Sequence, residues 1–198
     1  MKILAFVDMH GSLSALKDIK KKSKNADILV CAGDFTIFEQ GIEHVMGELN
    51  KLKKDVLIVH GNHEDDDLVR ELCLIHDNLY FLHNNHFIKD DVLFLGWGGG
   101  GFSDLDKSFE KREKRFKELM KKHKEKAVVL VTHAPPHGTK IDKIGREHCG
   151  NKSIAKFIKK YKVDLSFSGH LHEDSGKMDK IGQSTVMNPG PHGKVVNL

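Results

Sequence analysis

Five short apolar runs, Ile3 to Val7, Ile28 to Ala32, Val56 to Val59, Val128 to Val131 and Leu165 to Phe167, each give way to residues able to hold a metal ion. Apolar runs of this length read as buried strands. The segments that follow them are Asp8-Met9-His10-Gly11, Gly33-Asp34, Gly61-Asn62-His63-Glu64, Thr132-His133 and Gly169-His170-Leu171-His172. Asp34 is the pivot. Gly33 lets the chain turn sharply and leaves the next carboxylate bare at the strand's carboxyl end, which is where open α/β sheets keep their ligands. Five strands that finish in this way predict that their ends meet in one place.

Helical spacing fills the gaps between the runs. Leu13, Leu16 and Ile19 behind a capping Ser12 or Ser14 predict a helix through Lys22, and further helices are expected over about Glu39 to Lys53 and Glu64 to His76. Strands alternating with helices predict parallel pairing through right-handed crossovers. Asp65, Asp66 and Asp67 read as charges favoured at the N-terminus of the third helix. From Leu79 the apolar runs shorten and are separated by Asn84-Asn85 and Asp90-Asp91, which predicts hairpins. Gly98 to Gly101 then form a loop, either a connector or part of the substrate side.

Ser108 to Lys126 predicts a charged helix with Phe109, Phe116 and Leu119 on its inner side and i,i+4 pairs Glu110 with Lys114, Glu113 with Lys117 and Glu118 with Lys122. Acids interleaved with the lysines argue against a nucleic-acid stripe, and a net charge of +4 spread along the chain adds little to that case. Pro135 and Pro136 end the fourth strand at His133. A helix over about Lys152 to Tyr161 and short strands at Met178 to Ile181, Thr185 to Met187 and Lys194 to Val196 complete the pattern.

A chain of 198 residues supports one well-buried core and reads as a single domain, residues 1–198. No apolar stretch approaches the roughly 20 residues of a membrane span, and the opening apolar run meets Asp8 too early for a signal peptide. Three cysteines without a CxxC pair fit reduced thiols. A cytoplasmic protein with no membrane partner is expected.

The strand-end donors Asp8, His10, Asp34, Asn62, His133, His170 and His172 mix carboxylate, imidazole and amide. That mixture suits Mn²⁺, Fe²⁺, Co²⁺, Ni²⁺ or Zn²⁺ better than Ca²⁺, which takes oxygen alone. Seven donors exceed the needs of one ion with an open position. Two ions about 3.5 to 4 Å apart would use them all if Asp34 bridged, and such pairs activate a water and stabilise the attacking and leaving oxygens of a phosphoryl group.

In the order and placement of these five blocks, which span residues 8 to 172, the chain resembles the calcineurin-like metallophosphoesterase superfamily. The resemblance implies an α/β fold, a four-layer α/β/β/α sandwich of two mixed sheets flanked by helices. It implies two divalent transition-metal ions, manganese foremost, one held by Asp8, His10, Asp34 and His172 and the other by Asp34, Asn62, His133 and His170. It also implies a hydrolase acting on a small phosphate ester, with His63 beside the metals as the acid and Glu64 orienting the His63 ring.

Two departures narrow the family. Ile37 stands where purple acid phosphatases carry a tyrosinate ligand, and no Asp-Arg-Gly follows Asp34 as it does in serine/threonine protein phosphatases. What remains resembles small prokaryotic or archaeal members likened to phosphodiesterases. A non-catalytic scaffold of the same fold is one alternative, although His63 and all seven donors are retained. A nuclease acting on single-stranded nucleic acid is another, and would need a basic groove around the site. His137, His148 and His192 are either phosphate contacts or solvated loop histidines. His44, His60, His76, His83, His86 and His123 are read as structural or surface residues.

Overall fold

A computed structural model describes residues 1–198. Strands β1 (Lys2–Phe6), β2 (Ile28–Cys31), β3 (Val56–Ile58) and β4 (Leu79–Phe81) run parallel in one sheet, with β13 (Lys194–Asn197) antiparallel on the outer side of β1. Helices α1 (Leu13–Ser23), α2 (Ile42–Asn50) and α3 (Asp66–Leu74) connect these strands. A second sheet has the order β11 (Met178–Ile181), β12 (Ser184–Met187), β10 (Leu165–Phe167), β7 (Ala127–Thr132), β6 (Val92–Trp97), β5 (Asn85–Lys89). Its centre, β6, β7, β10 and β12, is parallel. Its edges, β5 and β11, are antiparallel.

Alternation within the apolar runs builds the layers. In β1, Leu4 and Phe6 face a core shared with α1, α2 and α3. Ile3, Ala5 and Val7 face the opposite way, into a core they share with Phe94, Val129, Val131 and Phe167 of the second sheet. That sheet's outer face, with Leu93, Leu95, Val128 and Leu130, packs against α4 (Lys107–Lys122) and α5 (Lys152–Lys160) through Phe109, Phe116, Ile154 and Phe157. The strands formed by the five runs are buried on both faces, which is why these runs are almost wholly apolar, with only the buried Ser166 of β10 breaking the pattern. The result is the four-layer α/β/β/α sandwich, and the carboxyl ends of β1, β2, β3, β7 and β10 open on the same side.

Local chemistry sets the helix starts. Ser12, Asp65, Asp106 and Asn151 each accept the backbone N–H three residues on, satisfying one of the donors a helix leaves free at its N-terminus. Asp65 therefore acts as a cap, as expected of the acidic cluster. Asp106 also accepts the indole N–H of Trp97 at 2.7 Å, which ties α4 to the end of β6.

Three expectations are corrected. The second helix begins at Ile42 and ends at Asn50, because Phe38, Glu39 and Gly41 adopt positive φ, a conformation no helix contains. Of the strands from Leu79 to Trp97, only β5 and β6 form a hairpin; elsewhere β11 with β12, and the short β8 (Lys143–Ile144) with β9 (Glu147–His148), form two more. β4 joins the first sheet parallel to β3, since Leu79 can bury its side chain beside Val56 there. The charged helix does not satisfy itself along its own surface: Glu113 accepts from Lys160 Nζ and Tyr161 Oη of α5, each at 2.6 Å, and Glu110 accepts from Ser153 Oγ at 2.8 Å. Packing α4 against α5 brings those partners closer than the lysines one turn away. No helix is long and apolar enough to cross a membrane.

Candidate metal centre

The five strand-end segments converge. Donor atoms of Asp8, His10 and His172 lie within 4.8 Å of one another, and so do those of Asp34, His133 and His170 and those of His10, Asp34 and His63. Asn62 joins through its Oδ1, 3.0 Å from His133 Nε2. All seven residues singled out as donors are thus brought together with His63, and Asp34 belongs to two of the three groups.

Backbone conformation makes the convergence. Asp8, His10, Asp34 and His170 all have φ between 46° and 69°, a region non-glycine residues rarely occupy and which clusters at functional sites. Each reverses the chain as it leaves its strand. The loops are then locked together: Asp8 N donates to Gly33 O, His10 N to Asp34 O, and Gly169 N to His133 O. His170 N donates to Asp8 Oδ1 at 3.1 Å, linking one sheet's loops to the other's. A Cβ on Gly61 would collide with the Asp34 carboxylate, so only glycine lets the β3 loop pass that close.

Glu64 is buried and does not touch the His63 ring. Its Oε2 accepts from Asp34 N at 3.0 Å and Gly61 N at 2.9 Å, and its Oε1 from Thr36 N at 2.9 Å and Thr36 Oγ1 at 2.8 Å. The expected role of orienting His63 is therefore replaced by another: Glu64 clamps the loop that carries Asp34 to the loop that carries Asn62. Four donors converging on one carboxylate are satisfied only by an acceptor with two oxygens. Burial pushes the Glu64 carboxyl up, against those hydrogen bonds.

Histidine contacts show what the site is built to bind. His133 Nδ1 donates to Ala32 O at 2.9 Å, and His10 Nδ1 to Thr36 O at 3.2 Å. A carbonyl partner on Nδ1 orients the ring and leaves Nε2 as the nitrogen available to a metal, the usual second contact of a metal-binding histidine. His133 Nε2 then faces two acceptors, Asn62 Oδ1 at 3.0 Å and Asp34 Oδ2 at 3.4 Å. His10 Nε2 lies 2.9 Å from His172 Nε2, and the buried Nε2 of His170 has no partner. Imidazole nitrogens, carboxylate oxygens and an amide oxygen crowded within 4.8 Å or less are the donor set of a divalent-metal site, so these residues fit a pair of divalent ions.

The titration shifts say the same. Burial opposes charge on His133, yet Asp34 and Asp8 raise its affinity for a proton. Burial would raise Asp34, but His133 and His63 hold it down to about 2. His170 falls to about 4, mainly through burial, and burial also lowers His10 and raises Asp8.

His63 N donates to Asp34 Oδ1 at 3.0 Å and its ring lies 3.9 Å from Asp34 Oδ2. Sequence reasoning missed the rings beside the centre. Phe38 packs on His63 with centroids 4.5 Å apart, and Phe102 meets His170 at 4.6 Å. Of the loop histidines, His148 donates from Nδ1 to Asp142 and His192 to Asp18, and the His137 ring lies 5.6 Å from that of His148. His60 and His83 stack beneath the glycine loop, where Gly99 N donates to His60 O and Gly98 N to His83 Nδ1.

Two packed mixed sheets whose strand ends gather aspartates, histidines and an asparagine define a dinuclear-type metal-binding phosphoesterase fold. The chain belongs to the calcineurin-like phosphoesterase family, which residues 1–174 match. An uncharacterized protein of Methanocaldococcus jannaschii is 35% identical over 96% of this chain and 88% of its own length. Among solved structures, TT1561 of Thermus thermophilus superposes with a TM-score of 0.76 at 20% identity, covering 96% of this chain and 88% of that one. A dimetal phosphatase from Danio rerio gives 0.70 at 14% identity, covering 98% and 90%. At these identities the solved structures speak for the fold. Members of the family are generally metal-dependent phosphoesterases that bind a dinuclear divalent centre.

Proposed function

We propose that this chain is a dinuclear-metal-dependent phosphoesterase, manganese foremost among its ions, that hydrolyses small phosphodiesters in the cytoplasm. The observation that carries the reading is the set of donor atoms gathered around Asp34, with His63 at its margin. Asp8, His10, Asp34 and His172 would hold one ion, and Asp34, Asn62, His133 and His170 the other. Bound there, two divalent ions would activate water and offset charge on the phosphoryl oxygens.

The chain's own residues supply the rest. Glu64 holds the loops of Asp34 and Asn62 at fixed separation, and the Thr36 and Ala32 carbonyls keep His10 and His133 turned so that Nε2 is available to a metal. His63 is 22% exposed at its side chain, so its ring can reach a bound ester and give a proton to the departing alkoxide.

The test is a metal-reconstituted comparison of a nitrophenyl diester with the corresponding monoester. Greater catalytic efficiency on the diester is expected, and a strong monoester preference would place the protein with the phosphatases. Two ions bound with no turnover of either would favour the scaffold reading. Cleavage of single-stranded nucleic acid is a second reading; a basic cleft of about 540 Å³ is lined by His137, Lys156, Lys159 and Lys180, with Lys160 paired to Glu113, and includes none of the metal-centre donors. Single-stranded DNA therefore belongs in the same comparison.

A further inference from the structure

Of the eleven phenylalanines in the chain, only Phe38 and Phe102 are exposed, at 70% and 67%. Both lie against histidines of the metal centre. Phe38 covers His63, whose other neighbour is the His10 ring at 4.9 Å, while Phe102 meets His170, which in turn meets His133 at 5.3 Å. Two aromatic rings thus flank the donor constellation, one at each end. Ile37 and Leu105, on the same two loops, are exposed as well. Isolated exposed apolar residues need no explanation. Here the two exposed phenyl rings both adjoin the residues proposed to act on phosphate.

The Phe38 loop is held rather than loose. Thr36 is bound through its N–H and hydroxyl to Glu64, and Glu39 Oε1 accepts from Asp65 N at 2.8 Å. Between those anchors Phe38 and Glu39 take φ of 45° and 64°, a conformation unfavourable for L-residues that persists only where its surroundings enforce it. The strain keeps a large aromatic side chain out of the core and on the rim. Phe102 follows the glycine loop that Gly98 and Gly99 fasten to His83 and His60, so its position too is set by the framework.

We propose that Phe38 and Phe102 are specificity-determining residues that bind a planar ring, so that the ester accepted by the centre carries an aromatic or heteroaromatic group such as a nucleobase. This rests on the phosphoesterase reading above for the site and extends it to the organic half of the substrate. A ring stacks on Phe38 or meets Phe102 edge-on through the quadrupole attraction that orders aromatic pairs, and stacking tolerates any base because every base has a π-face. A small aliphatic group would touch the same rings with less area and without that attraction.

The test measures binding apart from turnover. Methyl-, cyclohexyl- and phenylphosphonate are titrated calorimetrically into the manganese-loaded full chain and into its Phe38→Ala and Phe102→Ala variants. Phenylphosphonate is expected to bind about tenfold or more tighter than the methyl compound, in the range of one stacked ring, and tighter than cyclohexylphosphonate. At least one of the two variants should lose most of that preference while binding methylphosphonate as the parent does. Equal affinity for phenyl and cyclohexyl, or a phenyl preference untouched by both variants, overturns the proposal, as does failure of all three to bind. A phenyl preference in a protein that hydrolyses no ester would keep the ring site and remove the enzymatic reading, so the two fail separately.

Discussion

Two buried carboxylates in this protein each face a histidine, and they are finished in opposite ways. Asp142 is filled. Its Oδ1 accepts from Thr139 N and His148 Nδ1, and its Oδ2 from Gly138 N and Gly150 N. Asp34 is left wanting. Oδ1 takes one backbone N–H from His63, while Oδ2 has no backbone partner and sits 3.4 Å from His133 Nε2 and 3.9 Å from His63 Nε2. A buried carboxylate with every lone pair satisfied is a staple, and here it closes the loop from His137 to Gly150. One left partly unmet among metal-ligating side chains is built for a cation. Counting partners, rather than noting an Asp beside a His, separates the two.

The largest way to break that comparison is Asp34→Asn. Activity should fall by about 10³-fold, several kcal/mol of lost charge stabilisation, and by more than for any other single donor. Added metal should raise the melting temperature of the parent, about 2.7 kcal/mol at a hundredfold excess over Kd, and leave the variant unmoved. Asp142→Asn should keep the metal-induced rise. Equal loss of metal response in both variants would erase the distinction between them.

His63→Asn is next. General acid catalysis is worth about 10² to 10⁴-fold when the leaving group is a strong base and little when it is p-nitrophenolate. The variant should therefore fail on an alkyl or ribose ester, stay serviceable on a nitrophenyl diester, and keep its metal. Equal losses on both esters would assign His63 to positioning phosphate or supporting Asn62.

Glu64→Gln tests whether a filled carboxylate can serve the site from behind. Gln keeps one acceptor oxygen and turns an N–H₂ toward backbone donors, leaving at least one buried donor unmet, so a loss of about 2 kcal/mol in unfolding free energy is expected. Activity should fall with it, because Asp34 N and Gly61 N lose their common anchor. Unchanged stability would remove the clamp.

The smallest effect belongs to Asp142. Burial would raise its carboxyl, but His148 and the N–H groups of Gly138, Thr139 and Gly150 hold it below the ordinary 3.8. A depressed folded value means the stabilisation is complete above pH 3.8 and disappears as pH falls through the lower folded value. Asp142→Asn should lose about 2 kcal/mol at neutral pH, and its stability curve should close on the parent's in strong acid. Parallel curves down to that limit would show that the Asp142 charge does nothing for the fold.

The same contrast explains what the sequence disclosed. Strand ends were legible because short apolar runs report buried strands, and a donor just beyond such a run has few places to go; Asp8, Asp34, His133 and His170 all follow from that pattern. The parallel placement of β4 was not, since Leu79 to Phe81 is equally apolar in a hairpin and only the neighbouring Val56 decides. Nor was Glu64's task, because its partners Asp34, Thr36 and Gly61 lie on two loops and three of its four bonds go to backbone N–H groups, which no side-chain pattern reveals. Phe38 escaped for a different reason: an apolar residue after Asp34 reads as core unless the positive φ that turns it outward is known.

Metal stoichiometry by mass spectrometry on active protein tests the central claim most directly. Two divalent ions per chain are expected at full activity in the parent, with binding lost in Asp34→Asn and retained in Asp142→Asn. One ion or none in a fully active chain would contradict the account.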